Sequence, residues 1–135
     1  MKKRVYEVKS LDEAKNLAIE ELGLSLDDLT FNIISEKKGF LGLGGKLTVE
    51  VTTAIDGVEK GKEYIQKVLD GNKVTGYIET KVRGDIIQYN VEAHEFNGYL
   101  IGKNGRNLLA LQTLVSIIVN NYYETDNIKN VLVDV

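Results

Sequence analysis

The sequence predicts an α+β protein of two small units, β-α-β-β followed by α-β-β-α-α-β. Three observations carry that expectation. Leu47, Val49, Val51, Thr53 and Ile55 alternate with Thr48, Glu50, Thr52 and Ala54, the period-two pattern of a half-buried strand. Leu11, Ala14, Leu17, Ala18 and Leu22 recur at helical spacing, as do Leu108, Leu111, Val115, Ile118 and Tyr122. At Asp56-Gly57 these periodicities reset, which divides the chain into residues 1–55 and 56–135.

Taken in order, Val5, Tyr6 and Val8 open the first unit with a short β-prone segment. Ser10 and Glu13 form a capping box ahead of the first helix, and Gly23 suits its stop. Ser25 to Leu29 is a polar connection. Thr30 to Glu36 reads as a strand with Phe31 and Ile33 on one face, antiparallel to the strand that follows it. One helix then covers a sheet.

The second unit opens with a helix over Val58 to Leu69, stopped at Gly71-Asn72. Val74 to Val82 and Ile86 to Ala93 read as strands joined by the turn Arg83-Gly84-Asp85. On the second of them Ile87, Tyr89, Val91 and Ala93 face one way, and Gln88, Asn90, Glu92 and His94 the other. Phe96 to Leu100 is a short turn or helix. Asn107 to Tyr123 is the most apolar helix, its stripe widened by Leu109, Leu114 and Ile117. Only Gln112, Ser116 and Asn120 form a polar strip, so the helix is expected to be largely buried. Val131 to Val135 is a closing strand.

Composition narrows the function. An apolar fraction of 43% with 27% charged residues is that of an ordinary globular protein. No run approaches the ~18 apolar residues of a transmembrane helix, and the basic N-terminus lacks the apolar core of a signal peptide. The absence of cysteine removes disulfides and thiolate metal sites, and the cytoplasm is the expected location. With 17 basic against 20 acidic residues the net charge is −3, so any nucleic-acid site must be local rather than a basic coat. His94 is the single histidine, and no paired carboxylates stand out. No enzymatic activity, cofactor or metal site is expected.

The most informative stretch is Tyr99-Leu100-Ile101-Gly102-Lys103-Asn104-Gly105-Arg106-Asn107-Leu108. Two glycines separated by two polar residues lead directly into a helix. Glycine permits φ > 0 and close approach of the backbone to a ligand, while the first helical amides favour an anion. Lys103 and Arg106 are the only ionised side chains between Phe96 and Tyr123 and add a positive focus. G-x-x-G alone is a weak signal, because 13 glycines give about one such pair by chance. Of the three present, only Gly102 to Gly105 has an isoleucine before it and a helix behind it.

A second glycine-rich stretch, Lys37-Lys38-Gly39-Phe40-Leu41-Gly42-Leu43-Gly44-Gly45-Lys46, lies between two strands. It is not a nucleotide-binding P-loop: Phe40 stands where the first glycine belongs, and Leu47 where a Ser or Thr belongs. Two readings are open. Phe40 and Leu41 fold back onto their own unit, or they form an exposed apolar tip, flanked by Lys37, Lys38 and Lys46, that docks a protein partner or RNA.

The element order of the second unit, its Ile101-Gly102-x-x-Gly105 turn and the apolar helix behind it resemble a KH domain of the type II arrangement. That resemblance implies a G-x-x-G loop holding the backbone of about four nucleotides of single-stranded nucleic acid, with the bases over an apolar groove beside it. The pattern falls on Ile101, Gly102, Lys103, Asn104, Gly105, Arg106 and Leu108, with Asn107 offering a further hydrogen bond. The capped first helix and Lys38-Gly39-Phe40-Leu41-Gly42-Leu43-Gly44 between two strands resemble the Jag N-terminal domain. The whole chain thus resembles the Jag family of bacterial RNA-binding proteins, implicated in control of cell shape, wall synthesis and division. The resemblance implies single-stranded RNA as a partner and an RNA-chaperone type of role. It also implies assembly with a second small KH-domain protein or a second copy of this chain, and a protein partner for the N-terminal domain. The alternative is an adaptor that docks its partner through the 37–46 loop, with the KH unit serving assembly. Family members usually continue into a third domain with an Arg-x-x-x-His signature, and this sequence stops at Val135.

Overall fold

Ser10 starts the first helix, as its spacing to Glu13 predicts. Its Oγ accepts the Glu13 amide at 3.2 Å, and the Glu13 carboxylate accepts the Lys9 amide at 2.9 Å, one residue before the position a reciprocal box uses. The structure, a computed structural model, describes residues 1–41 and 44–135; Gly42 and Leu43 of the glycine-rich loop lie outside the described residues. The chain folds as two compact units, Met1–Asp56 and Gly57–Val135. The α+β class and the element order are as the sequence predicts.

In the first unit, strands β1 (Lys3–Val8), β2 (Leu29–Lys37) and β3 (Lys46–Thr53) form an antiparallel sheet of order β1-β3-β2. Helix α1 (Leu11–Leu22) turns Ala14, Ala18 and Leu22 inward and ends at Gly23, whose φ of 67° lets its amide bond Ile19 O at 3.0 Å. Val49 and Val51 of the central strand are fully buried. The β2–β3 register shifts between Ile33 and Ser35, so Ile34 is the extra residue of a bulge. Beyond Phe31, β2 is exposed along its length.

In the second unit, β4 (Tyr77–Arg83) and β5 (Ile86–Glu92) form a hairpin, and β6 (Asn130–Asp134) adds to β5 in parallel. Helices α2 (Gly57–Gly71) and α4 (Arg106–Asn120) supply Ile65, Leu69, Leu111, Val115 and Val119 to a core with Ile87, Tyr89, Val91, Val131 and Val133. Tyr89 is fully buried, and its hydroxyl donates to Val58 O at 2.7 Å.

Three expectations are corrected here. The fourth strand begins at Tyr77, not Val74, because α2 runs through Gly71 and the next residues cap it. Lys73 takes φ 58°, and the Val74 amide turns back to Leu69 O at 3.0 Å. His94 does not continue the fifth strand. It sits in a short 3-10 helix, His94–Phe96, with φ 54°. Finally, α4 is not largely buried, and its polar strip is not its solvent face. Gln112 Oε1 accepts the Val133 amide at 3.0 Å. Asn120 exchanges bonds with the Lys129 backbone at 3.0 and 2.7 Å. These amides are half-buried because they satisfy the strand they pack beside. The outer face is left to Leu109 and Ile117, which are 64% and 63% exposed.

Candidate nucleic-acid interface

The turn that carries the G-x-x-G sequence is anchored before it begins. Asn97 Oδ1 accepts the Ala93 amide at 2.7 Å, and its Nδ2 donates to Glu92 at 2.8 Å. The same carboxylate accepts the His94 amide at 3.0 Å. The Asn97 bond, then the His94 bond, hold Glu92 below the usual carboxylate pKa. This clip fixes the angle at which the short helix α3 (Asn97–Ile101) leaves the sheet. Along it, Phe96 and Tyr99 stack with ring centroids 4.9 Å apart, Leu100 enters the core and Ile101 is half-buried.

The chain then reverses. Gly102 adopts φ 73° and ψ 179°, Asn104 φ 58° and ψ 27°, and Gly105 φ 73° and ψ 15°. The Gly102 amide is taken by Gly98 O at 3.0 Å and that of Gly105 by Gly102 O at 3.3 Å. Between them the amides of Lys103 and Asn104 have no acceptor among the described residues. Two successive unpaired N–H groups beside a left-handed residue leave two donors that an anion can bond, and both residues are exposed. Lys103 and Arg106 flank them, and no carboxylate lies between Phe96 and Tyr123.

Asn107 has a structural task. Its Nδ2 donates to Tyr99 O at 2.8 Å, and its side chain lies against Gly102, where an added Cβ would stand 2.7 Å from Cγ. Grooves run on both flanks of α4. One, of about 290 Å³, is bordered by Thr113, Ser116, Ile117 and Asn130 beside β6. The other, of about 250 Å³, is bordered by Tyr64, Phe96, Tyr99 and Leu114 beside α2 and α3.

In the first unit, Lys37 and Lys46 form the last pair of the β2–β3 ladder. Phe40 and Leu41 beyond it are each 85% exposed, so the fold-back reading of this loop fails. Lys9, Lys37, Lys38 and Lys46 border a concavity of about 640 Å³ together with Glu36 and backbone of Gly39, Gly44 and Gly45. Among the described residues no group of His, Asp and Glu is placed to hold a metal ion.

Residues 6–53 match the family model described as Jag N-terminus. The RNA-binding protein KhpB of Bacillus subtilis (strain 168) is 33% identical over 129 residues, covering 93% of this chain and 61% of its own length. The chain belongs to the Jag family. A second Jag relative, the RNA-binding protein KhpB of Clostridium symbiosum, is 32% identical over 122 residues, 83% of this chain and 52% of that one. The chain therefore spans about half to three-fifths of the length of these relatives. The Jag N-terminus match includes the 37–46 loop and lies wholly in Met1–Asp56. Two features of this Jag chain escape sequence reading: the unpaired amides of Lys103 and Asn104, and the exposure of Tyr99, Leu109 and Ile117. Periodicity registers apolar spacing, and neither backbone pairing nor the side from which a helix is covered can be read from it.

Proposed function

We propose that this chain binds single-stranded RNA, with Gly57–Val135 acting as a type II KH domain. The carrying observation is the pair of unpaired Lys103 and Asn104 amides, presented at an exposed turn with Lys103 and Arg106 and remote in sequence from any carboxylate. Ile101, Gly102, Lys103, Asn104, Gly105 and Arg106 form the backbone clamp. Asn107 holds the turn in shape, and Thr113 and Ile117 border the groove for the bases. The relatives' description as RNA-binding proteins supports the same reading. The Jag resemblance extends it to a cytoplasmic regulator or RNA chaperone acting in cell shape, wall synthesis and division.

Lys103→Asp with Asn104→Asp tests the clamp. The change puts two carboxylates where phosphate is to lie, each costing on the order of 2 to 4 kcal/mol at ~4 to 8 Å and an effective dielectric of ~20. Solvent screening reduces this, and an affinity loss of about tenfold or more is expected in an anisotropy titration with single-stranded RNA. Melting should shift little, since both side chains are exposed and aspartate tolerates the left-handed turn at position 104. A folded double variant that binds RNA like the parent would place the site elsewhere.

A second reading accompanies the first and is favoured by the exposure of Phe40 and Leu41. The 37–46 tip engages a partner outside this chain, which makes the protein an adaptor between that partner and RNA.

A further inference from the structure

Two adjacent large apolar side chains, each 85% exposed, are costly to leave in water, and they stand at the end of a hairpin rather than within a groove. The residues at its base are lysines, from three separate places in the fold. Lys37 and Lys38 lie on the outgoing leg, Lys46 on the returning one, and Lys9 follows β1. Lys9, Lys37 and Lys38 form no ion pair among the described residues, while Lys46 meets Glu7 at 3.4 Å. Glu36 also borders the concavity, Glu7 pairs with Lys46 and the Glu13 carboxylate accepts the Lys9 amide, so the local excess is one positive charge on a chain whose net charge is −3.

Resting on the adaptor reading, we propose that the tip docks on an anionic lipid bilayer, with Phe40 and Leu41 entering the headgroup–acyl boundary and the lysines remaining at the level of the lipid phosphates. The dimensions fit. Phe40 lies three residues past Lys37, the end of the ladder, a reach of at most roughly 10 Å at ~3.3 Å per residue, and the chain turns at Leu41, whose φ is 54°. Apolar groups of peripheral proteins enter a bilayer by about 5 to 10 Å. Four lysines gathered around one concavity at the base of an apolar tip suit a flat surface of uniform negative charge. RNA is the weaker occupant, because only Phe40 can stack on a base and Leu41 would stay in water. With one excess charge and two apolar side chains, the attachment is weak, reversible and dependent on lipid composition.

The full chain contains no tryptophan, so Phe40→Trp installs a single reporter without removing the apolar surface. Its emission should move to shorter wavelength with vesicles containing about 40 mol% phosphatidylglycerol, and not with phosphatidylcholine alone. In flotation, parent protein should rise with the anionic vesicles, and Phe40→Ser with Leu41→Ser should cut that fraction by roughly fivefold or more while melting at the parent temperature. No shift and no flotation would overturn the bilayer proposal. If the double variant then loses a protein contact instead, or changes its sedimentation as a second copy would, the adaptor reading survives with a different partner. A shift produced by single-stranded RNA without vesicles would assign the tip to nucleic acid. A lowered melting temperature in the double variant would make the tip part of the fold and end both readings, whereas loss of RNA binding at Lys103 and Asn104 bears on neither.

Discussion

Gly102 holds φ 73° and ψ 179° with Asn107 packed where a Cβ would stand, whereas Gly105 holds φ 73° and ψ 15° and faces open space. Only glycine reaches the first conformation at low cost, while the second is the left-handed region that other residues enter at a penalty of about 1 kcal/mol. Gly102→Ala should therefore destabilise the chain by roughly 3 kcal/mol and Gly105→Ala by about 1 kcal/mol in urea unfolding. Equal losses would show that the Asn107 contact carries no weight. Tyr6 offers a test by pH. Burial and then the bond from its hydroxyl to Glu21, at 2.7 Å, push its pKa up to about 12 from 10.0. A folded pKa above the unfolded one stabilises the protonated form. The contribution is full below pH 10.0 and is lost as pH rises through about 12. A spectrophotometric titration should show a tyrosinate phase near pH 12 that Tyr6→Phe removes.

Helix α2 carries Gly61 in its interior, a place where alanine normally stabilises a helix by about 0.5 to 1 kcal/mol. Here an added Cβ would overlap the Tyr89 hydroxyl and stand 2.7 Å from Val119 Cγ2. Neither neighbour is a loose side-chain end: both residues are fully buried, and the Tyr89 hydroxyl is bonded to Val58 O. Gly61→Ala should cost about 1 to 2 kcal/mol net, the overpacking penalty outweighing the helix gain. A stabilised variant would mean that α2 can move off the sheet. Element type and order were legible because alternation and helical spacing are properties of the chain alone. Rotation of α4 about its axis was not. Gln112 and Asn120 are polar by composition, but as side chains they satisfy the Val133 and Lys129 backbone groups, and this lets them lie against β6. The end of β5 was missed for a related reason. The Glu92–Asn97 clip takes His94 out of the strand, and a bond between side chains five residues apart leaves no period to detect. At the site, the G-x-x-G spacing was legible, but the structural use of Asn107 depended on which side of Gly102 the helix returns.

At the scale of the whole molecule, each unit has its own sheet and its own helices, so each is expected to fold alone. Residues 57–135 expressed by themselves should unfold in one cooperative transition, read by circular dichroism in urea. A molten product would show that this unit needs the first one. The two sheets also differ in how far apart along the chain their partners lie. The first is closed by strands ending at Thr53, and the second only when Asn130–Asp134 pairs with β5, 44 positions after it at Ile86 and Asn130. Asn130 comes 77 positions after Thr53. At roughly 5 to 20 residues per second of synthesis, β6 leaves the ribosome about 4 to 15 s behind β3, longer than small domains usually need to fold. The hairpin tip of the first unit is thus in place while the inner face of α4 is still without its closing strand, and topology sets the sequence in time: whatever holds the tip can already be holding a nascent chain.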